Sequence, residues 1–338
     1  VRRFKATDIW PRPYLETAEV AWSGVMDLAA ADPRFSAAMR AILLRRYAWA
    51  DGLAGYFAQT FRSGYVANFV LASTAVALAL TGTIRQSWKP WLVLLELFVI
   101  AMIIANTWVG RRRGWHQRWL DYRHLAERLR NLRVSSLFGD AALRGGTNSP
   151  GEAPGWVLWY ARATGRELGL PNVVADEAFR GTLRGIFISS QLDEQIAYHD
   201  TNHRRLECLD HRLHVAGSLL FWLTGAAALV FITALAIASL HDAHLAHGLA
   251  GAVTWMAGVF PALGAAIFGI RVHGDFTNVA ERSHRTAASL RQIHAALTGG
   301  DLRWESLKGQ TDRAAMLMLA DLADWRIIFE RRPLTLPA

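Results

Sequence analysis

Residues Pro90 to Gly110 read PWLVLLELFVIAMIIANTWVG and contain no Lys or Arg. A helix needs about 20 predominantly apolar residues to cross the ~30 Å hydrocarbon core of a bilayer. Three further runs reach this length and also lack Lys and Arg: Val66 to Ile84, His214 to Leu240 and Leu249 to Ile270. Four such runs in two close pairs are not typical of a water-soluble domain. The sequence therefore predicts an all-α integral membrane protein with four transmembrane helices.

The overall composition agrees with this prediction. Of the 338 residues, 52% are hydrophobic and 19% are charged, which is an apolar excess for one soluble core. The net charge of +9 is compatible with nucleic-acid binding, but Lys and Arg also gather beside membrane spans on the cytosolic side. Because Cys208 is the only cysteine, the chain can form neither an intrachain disulfide nor a cysteine-based zinc site.

The basic residues orient the predicted spans. Of the 37 Lys and Arg residues, the turn between the first two spans contains only Arg85 and Lys89, and the turn between the last two contains none. The positive-inside rule therefore predicts that both termini lie in the cytosol. Because the basic excess is explained in this way, we expect the lipid bilayer, and no nucleic acid, as a partner. The sequence begins at Val1 rather than Met, so either the start is non-standard or an upstream segment is missing.

The spacing of the spans predicts two membrane hairpins with long cytosolic helical stalks. We expect N-terminal cytosolic helices at 1–64, the first hairpin and its exit stalk at 65–138, and a cytosolic linker with short helices at 139–190. An entrance stalk, the second hairpin and its exit stalk follow at 191–298, and a C-terminal cytosolic helix at 299–338. The linker has the Gly, Pro, Asn and Ser composition of a loop from Gly139 to Gly155.

The two hairpins show a weak internal similarity. Before the hairpins, Tyr65-Val66-Ala67 lies over His214-Val215-Ala216 at an offset of 149 residues. After the hairpins the offset is 161 residues, and the matched apolar seams are Trp115, Trp119, Tyr122, Ala126 and Leu129 over Phe276, Ala280, Ser283, Ala287 and Leu290. Such seams predict stalks that continue the exit spans. The hairpins would then be parallel repeats, unless any two hairpins with amphipathic flanks resemble each other this much.

Glu96 is the most informative single residue in the predicted spans, because it is an acidic residue within an apolar run. An ionised side chain that faces lipid costs roughly 3 kcal/mol or more, so Glu96 is expected to face protein or water. In a symmetric oligomer it would form a carboxylate ring that favours cations, and Asn106 is a second candidate for lining such a pore. Alternatively, Glu96 joins helices through Asn106, Asn68, Ser73 or Thr74, or it lies close to the outer interface, six residues after Pro90.

The fourth span is rich in small residues and contains a proline. Gly258 and Gly264 permit close helix contact, and Pro261 frees a backbone carbonyl and can bend a helix. We predict tight helix packing by these residues, with a gating bend as the alternative.

The turn before the fourth span contains His241, His244 and His247 with Asp242. Metal binding or proton sensing is conceivable. However, a spacing of three residues advances only ~300° per step on a helix, so the outer two histidines diverge. A solvated polar turn is therefore the favoured interpretation, and no metal is predicted.

Motifs of familiar soluble enzymes are absent. The sequence contains no phosphate loop ending in Lys-Ser/Thr, no dinucleotide fingerprint, no Gly-x-Ser-x-Gly elbow and no His-Glu-x-x-His. We therefore predict neither an enzyme nor a cofactor. An intramembrane enzyme or small transporter is an alternative, although paired ionisable residues are scarce within the spans.

Three segments give the chain a resemblance to a known family. The run from Trp115 to Arg130 (WHQRWLDYRHLAERLR), the segment from Gln195 to His199 (QIAYH) and the end from Asp324 to Pro333 (DWRIIFERRP) resemble the SLATT group of bacterial membrane proteins. The likeness covers most of the chain from Phe35 onward, and its motifs are helical and degenerate.

This resemblance implies a regulated pore-forming or membrane-perturbing effector of bacterial immunity in the inner (plasma) membrane. The resemblance also implies action when a linked sensor detects a nucleotide signal. Because four spans alone enclose little space, we expect a homo-oligomer. A sensor domain of the SLOG type is not recognisable in 1–64, so the sensor would lie upstream, on a partner protein, or in the cytosolic helices. The alternative from another class is a non-conducting membrane scaffold or signalling subunit.

Overall fold

The computed structural model describes residues 11–140, 153–238, 244–330 and 332–337, with side chains described for 14–140, 153–236, 251–330 and 332–337. Every regular element in these ranges is helical, as the all-α prediction requires. The α-helices are α1 (Pro11–Ala29), α2 (Pro33–Ala38), α3 (Arg45–Ile84), α4 (Lys89–Arg112), α5 (Trp115–Ser135), α6 (Gly155–Leu168), α7 (Glu177–Phe187), α8 (Glu194–Ala238), α9 (His244–Gly274), α10 (Phe276–Gly299) and α11 (Trp304–Glu330).

Four helical runs are long and apolar enough to cross a membrane. They are Pro33–Ile84, Gln86–Phe138, Glu177–Ala236 and Gly251–Gly299, and each overlaps one of the predicted spans. The lengths and composition of these runs support a multi-pass membrane protein.

Two of the long runs contain a single π-helical turn. Met39–Leu44 joins α2 to α3, and Ile188–Asp193 joins α7 to α8. A π turn inserts one extra residue per turn, so it rotates the side chains that follow it without ending the helix. Capping explains where these runs begin: Asp32 accepts hydrogen bonds from the backbone N–H groups of Arg34 and Phe35, and Asp176 accepts one from Phe179.

The stalks were predicted to continue the exit spans, but in the structure a residue with a left-handed backbone conformation separates each span from its stalk. Gly114, with φ +60°, separates α4 from α5, and Asp275, with φ +48°, separates α9 from α10. Each apolar exit seam therefore lies on a helix separate from its span, on α5 after α4 and on α10 after α9. Glycine adopts this conformation at little cost, whereas an L-residue such as Asp275 adopts it less readily.

The described chain divides into two compact units, of which the first contains Val1–Thr60, Trp115–Arg204 and Val279–Pro333. Its central element is α5, which is buried on nearly all faces and packs against α6 and α11. The core around α5 consists largely of leucines and aromatic residues, including Trp22, Leu43, Leu44, Leu125, Leu129, Leu132, Phe187, Leu192 and Leu290.

The second unit contains Phe61–Gly114, Arg205–Asn278 and Leu334–Ala338, and thus the most apolar parts of α3, α4, α8 and α9. Ala75 of α3 packs with Val99 and Ile103 of α4. On α9, the indole Nε1 of Trp255 donates to Thr81 Oγ1 of α3 at 3.1 Å. Most remaining large side chains of α4 and α8 are exposed, so their apolar surface is available to lipid or to another subunit.

Candidate functional site

A cluster of amide and hydroxyl groups joins α3 to α4 inside the second unit. The Asn106 amide donates to Asn68 Oδ1 at 2.7 Å and to the Gly64 carbonyl at 3.0 Å, while Asn68 Nδ2 donates to Thr107 Oγ1 at 2.8 Å. Asn68 and Thr107 are buried. Buried polar groups that satisfy one another hold neighbouring helices in register. Asn106, predicted to line a pore, therefore uses its amide protons to contact α3.

Glu96 lies on the face of α4 that turns towards α3. It precedes Val99 by three residues and Ile103 by seven, and these two pack against Ala75, so Glu96 belongs to the same helical stripe. Its side chain is half-buried, and it forms no hydrogen bond or ion pair with any residue that the structure describes. It lies seven residues into α4, which corresponds to a rise of ~10 Å along the helix.

The four partners considered for Glu96 are engaged elsewhere. Asn68 and Asn106 bind each other, and the hydroxyls of Ser73 and Thr74 both donate to the Val70 carbonyl of their own helix, at 3.0 and 2.8 Å. A role for Glu96 as a hydrogen-bonded link between helices thus lacks a partner among the described residues, and its role in lining a pore stays a prediction.

The small residues of α9 serve two different surfaces. At Gly258, an added Cβ atom would lie 2.3 Å from Leu80 Cδ1 of α3, so a larger residue there would require the Leu80 side chain to move. At Gly264, an added Cβ would meet nothing within 4 Å. Gly264 and Pro261 line an open groove against α8. Tight contact therefore applies to Gly258, whereas Pro261 and Gly264 border free space.

The predicted histidine turn lies outside the described side chains, and this includes His241, His244 and His247. Within the part of the chain that the structure describes, no group of three or more His, Cys, Asp or Glu side chains is arranged to hold a metal ion.

A set of buried ion pairs surrounds α5 in the first unit, and no pattern in the sequence predicted it. Arg326 of α11, which is 4% exposed, donates from NH1 to Asp121 Oδ1 at 3.0 Å. Gln117 donates to the same carboxylate at 3.0 Å, and the indole of Trp156 donates to Oδ2 at 3.4 Å. This carboxylate joins α5, α6 and α11.

A second buried carboxylate, Glu127, lies six residues further along α5. It accepts from Arg123 NH2 at 2.8 Å and from Arg130 NH2. Burial alone would raise the pKa of Glu127, but the guanidinium groups of Arg130 and Arg123 lower it below the ordinary value. Asp51 of α3 contributes a further carboxylate, whose Oδ1 lies 3.8 Å from Nη1 of Arg123. Removing one member of such a group would leave an uncompensated buried charge.

A third pair connects α10 to α11. Arg282 Nε lies 3.2 Å from Asp321 Oδ1, and Thr286 Oγ1 donates to the same oxygen at 2.8 Å. Buried acidic and basic side chains around α5 are therefore arranged in pairs, and the interior of this part of the first unit is polar. Clusters of this kind are frequent in functional sites, although purely structural networks also occur.

Two buried histidines accompany these pairs. Burial, together with the positive charges of Arg326, Arg128 and Arg123, lowers the pKa of His124 to about 3. Burial also lowers the pKa of His199, despite the nearby carboxylate of Asp321. Both imidazoles are therefore neutral at pH 7, and each would resist protonation in the folded state.

The sequence contained a signal for this site. Outside its apolar seam, the run from Trp115 to Arg130 carries charged residues such as Asp121, Glu127 and Arg128, and the charged faces of an amphipathic helix are normally exposed. Thirteen of the 21 residues of α5 are nevertheless buried. The partners Asp121 and Arg326 are 205 residues apart, so no local pattern connects them.

No protein-family model, curated protein or solved structure matches the chain, and the resemblance to the SLATT group therefore stays a prediction.

Proposed function

We propose that this chain is a homo-oligomeric, multi-pass protein of the bacterial inner membrane that acts as a regulated pore-forming or membrane-perturbing effector. In this proposal α3 with α4 and α8 with α9 form two membrane hairpins, and both termini lie in the cytosol. Activation by a nucleotide signal and the role in defence are the parts of the proposal that rest on the resemblance to SLATT proteins.

The observation that carries the proposal is the environment of Glu96. Its carboxyl group lies on the α3-facing stripe of a membrane-capable helix and forms no hydrogen bond or ion pair with the described residues. A charge at this depth needs water or a partner, because contact with hydrocarbon costs several kcal/mol. A water-filled path in an oligomer would supply both water and the neighbouring subunits.

The exposed surface of α8 supports self-association. In the most apolar stretch of its run only 6% of the residues are buried, and Phe221 and Trp222 are among the exposed side chains. Four spans alone enclose little space, so a pore requires several subunits.

Backbone geometry supports the proposal that the two hairpins are parallel repeats. The π turns begin at Met39 and Ile188, 149 residues apart, and the left-handed residues Gly114 and Asp275 are 161 residues apart. These are the two offsets at which the sequence aligns with itself. The irregular backbone features therefore recur at the aligned positions of both hairpins, as expected for parallel repeats.

The experiment that tests the pore measures ion flux through full-length purified protein in dye-loaded liposomes, with and without a panel of nucleotides. We expect Glu96→Gln, which keeps the size and removes the charge, to reduce the cation-to-anion flux ratio about tenfold, since a ring of carboxylates concentrates cations. Nucleotide dependence would support a sensor within this chain.

The matched control is Glu19→Gln, because Glu19 is an exposed carboxylate of α1 and the change in charge is identical. We expect this variant to conduct like the wild type. Unchanged flux in Glu96→Gln, or no flux from inserted wild-type protein under any condition, would contradict a pore lined by Glu96.

One observation favours the scaffold alternative. In the first unit, Trp159 of α6 is 65% exposed, and tryptophan is enriched at protein interfaces relative to the rest of the surface. A scaffold would show no flux, and Trp159→Ala would abolish signalling in cells while Glu96→Gln would leave it intact.

A further inference from the structure

A groove lies between α8 and α9 within the second unit and encloses about 530 Å³. This volume falls within the ~300–1,000 Å³ range of ligand sites. Gly264 leaves part of its interior open, since an added Cβ there would meet nothing within 4 Å. The largely exposed rings of Phe221 and Phe268 border the groove. The groove is therefore apolar along its length and accessible from the side of the helices.

One end of the groove is polar. Arg271 binds Asp210 through two parallel hydrogen bonds, Nε to Oδ1 and NH2 to Oδ2, both at 2.9 Å. The third guanidinium nitrogen, NH1, lies 3.4 Å from His214 Nδ1. If Nδ1 accepts from NH1, the ring proton resides on His214 Nε2. Arg271 and His214 thus bring N–H donors to the end of an apolar groove.

The first hairpin provides an internal comparison at the repeat offsets. Position 103, which corresponds to Gly264, is an isoleucine buried against Ala75 and Val99. Phe61, Tyr65 and Gly110 stand where the second hairpin has Asp210, His214 and Arg271. At these aligned positions the first hairpin therefore carries a buried isoleucine in place of Gly264 and uncharged residues in place of the Asp210, His214 and Arg271 set.

We propose that this groove binds a membrane phospholipid, with one acyl chain between α8 and α9 and the phosphate at Arg271 and His214. The inference rests on the membrane insertion proposed above, but not on conduction. Arg271 directly follows the apolar run that ends at Ile270, so the donors lie at the depth of lipid headgroups. Guanidinium groups bind phosphate oxygens well.

Asp210 determines which headgroups fit. Its carboxylate is paired with the Arg271 guanidinium, which lowers the pKa of Asp210, so the pair carries no net charge when both groups are ionised. The end of the groove therefore does not require a net negative headgroup. The phosphate common to anionic and zwitterionic phospholipids is the group recognised, and a neutral lipid without phosphate lacks it.

The test counts lipids bound to the full-length protein by native mass spectrometry in mild detergent, with phosphatidylglycerol, phosphatidylethanolamine or diacylglycerol added. We expect one tightly bound copy of either phospholipid and none of diacylglycerol. Gly264→Leu places a side chain in the open groove, and we expect it to weaken phospholipid binding at least about tenfold, whereas Arg271→Gln should abolish the preference over diacylglycerol.

The matched control is Gly225→Leu, because Gly225 lies on α8 outside the groove and an added Cβ there also meets nothing within 4 Å. It should bind phospholipid like the wild type. Equal binding by Gly264→Leu and Gly225→Leu, or equal binding of diacylglycerol, would overturn the lipid site. Loss of oligomers in Gly264→Leu without loss of lipid would assign the groove to a second copy of the chain.

Alkaline extraction of membranes separates this inference from the function proposed above. If the wild-type protein resists extraction, a negative lipid result overturns the site and leaves the membrane protein and its pore in place. If the wild-type protein is extracted, both proposals fall. Ion flux by Gly264→Leu at the wild-type level, with its lipid lost, would support a binding site that is separate from the conducting path.

Discussion

At the scale of single residues, His124 is the clearest source of pH dependence in the first unit. Its imidazole is 2% exposed, and its Nε2 has no hydrogen-bond partner among the described residues. Arg326 on α11 and Arg123 and Arg128 on α5 disfavour a further positive charge. Below the ordinary histidine pKa of 6.5, the unfolded chain takes up a proton that the folded state refuses until about pH 3.

The sign of the effect follows from this difference. Because the folded-state pKa is depressed, the unfolded state binds more protons as the pH falls, and stability decreases from about pH 6.5 downwards. At pH 4.5 the loss from His124 alone is about 3 kcal/mol. We expect the melting temperature of the protein in detergent to fall between pH 7 and 5, and to fall less steeply in His124→Gln.

His284→Gln is the control for this slope, because His284 is an exposed histidine in the same unit. It should reproduce the wild-type pH dependence. The slope, not the absolute melting temperature, is compared, since His124→Gln also changes packing at pH 7. Identical slopes in the wild type and His124→Gln would show that His124 is not protonated on unfolding in this range.

At the scale of the helix, the left-handed residue that ends α4 can be tested separately from packing. An added Cβ at Gly114 meets nothing within 4 Å, so the only penalty for Gly114→Ala is the backbone conformation at φ +60°. We expect a loss of ~1 kcal/mol in the free energy of unfolding, measured by denaturant titration in detergent.

Gly181→Ala is the matched variant, and it is expected to change the free energy of unfolding in the opposite direction. Gly181 lies inside α7, its added Cβ also meets nothing within 4 Å, and its φ is not positive. There, alanine should stabilise the helix by ~1 kcal/mol. If both variants are stabilised, α4 and α5 form one continuous helix in solution and the break at Gly114 is not maintained.

The helices also show where prediction from sequence succeeds. The predicted span from Pro90 to Gly110 lies within α4 (Lys89–Arg112), because a bilayer-length apolar run is a property of composition alone. The break at Gly114 was missed, although a glycine after Arg111–Arg113 is a recognised helix stop. The break at Asp275 carries a weaker local signal, because the left-handed residue is an aspartate, although Gly274 precedes it.

The candidate site was predicted less completely than the spans, for a physical reason. Glu96 stands out because a single charge in an apolar run is visible locally. The contacts of Asp121 with Arg326 depend on how α5 and α11 pack, and Arg271 reaches Asp210 across 61 residues. Such long-range pairs are decided by tertiary packing, which a single sequence does not encode in any local pattern.

At the scale of the whole molecule, the proposed topology makes one prediction that a single reagent can test. Cys208 is the only cysteine and is exposed, and the positive-inside rule assigns its segment to the cytosol. A membrane-impermeant maleimide should therefore label the wild type in inverted vesicles but not in intact spheroplasts. Cys208→Ser removes the native thiol and provides the background for the reverse test.

In that background, Ser87→Cys introduces a thiol into the turn between α3 and α4, where Ser87 is exposed. It should be labelled in intact spheroplasts only, because this turn is predicted to lie on the side opposite to Cys208. Labelling of both thiols from one side would mean that α3 does not cross the bilayer as proposed. Glu96 would then lose its place in a transmembrane path, and the exposed apolar surfaces of α4 and α8 would have to be covered by protein instead of lipid.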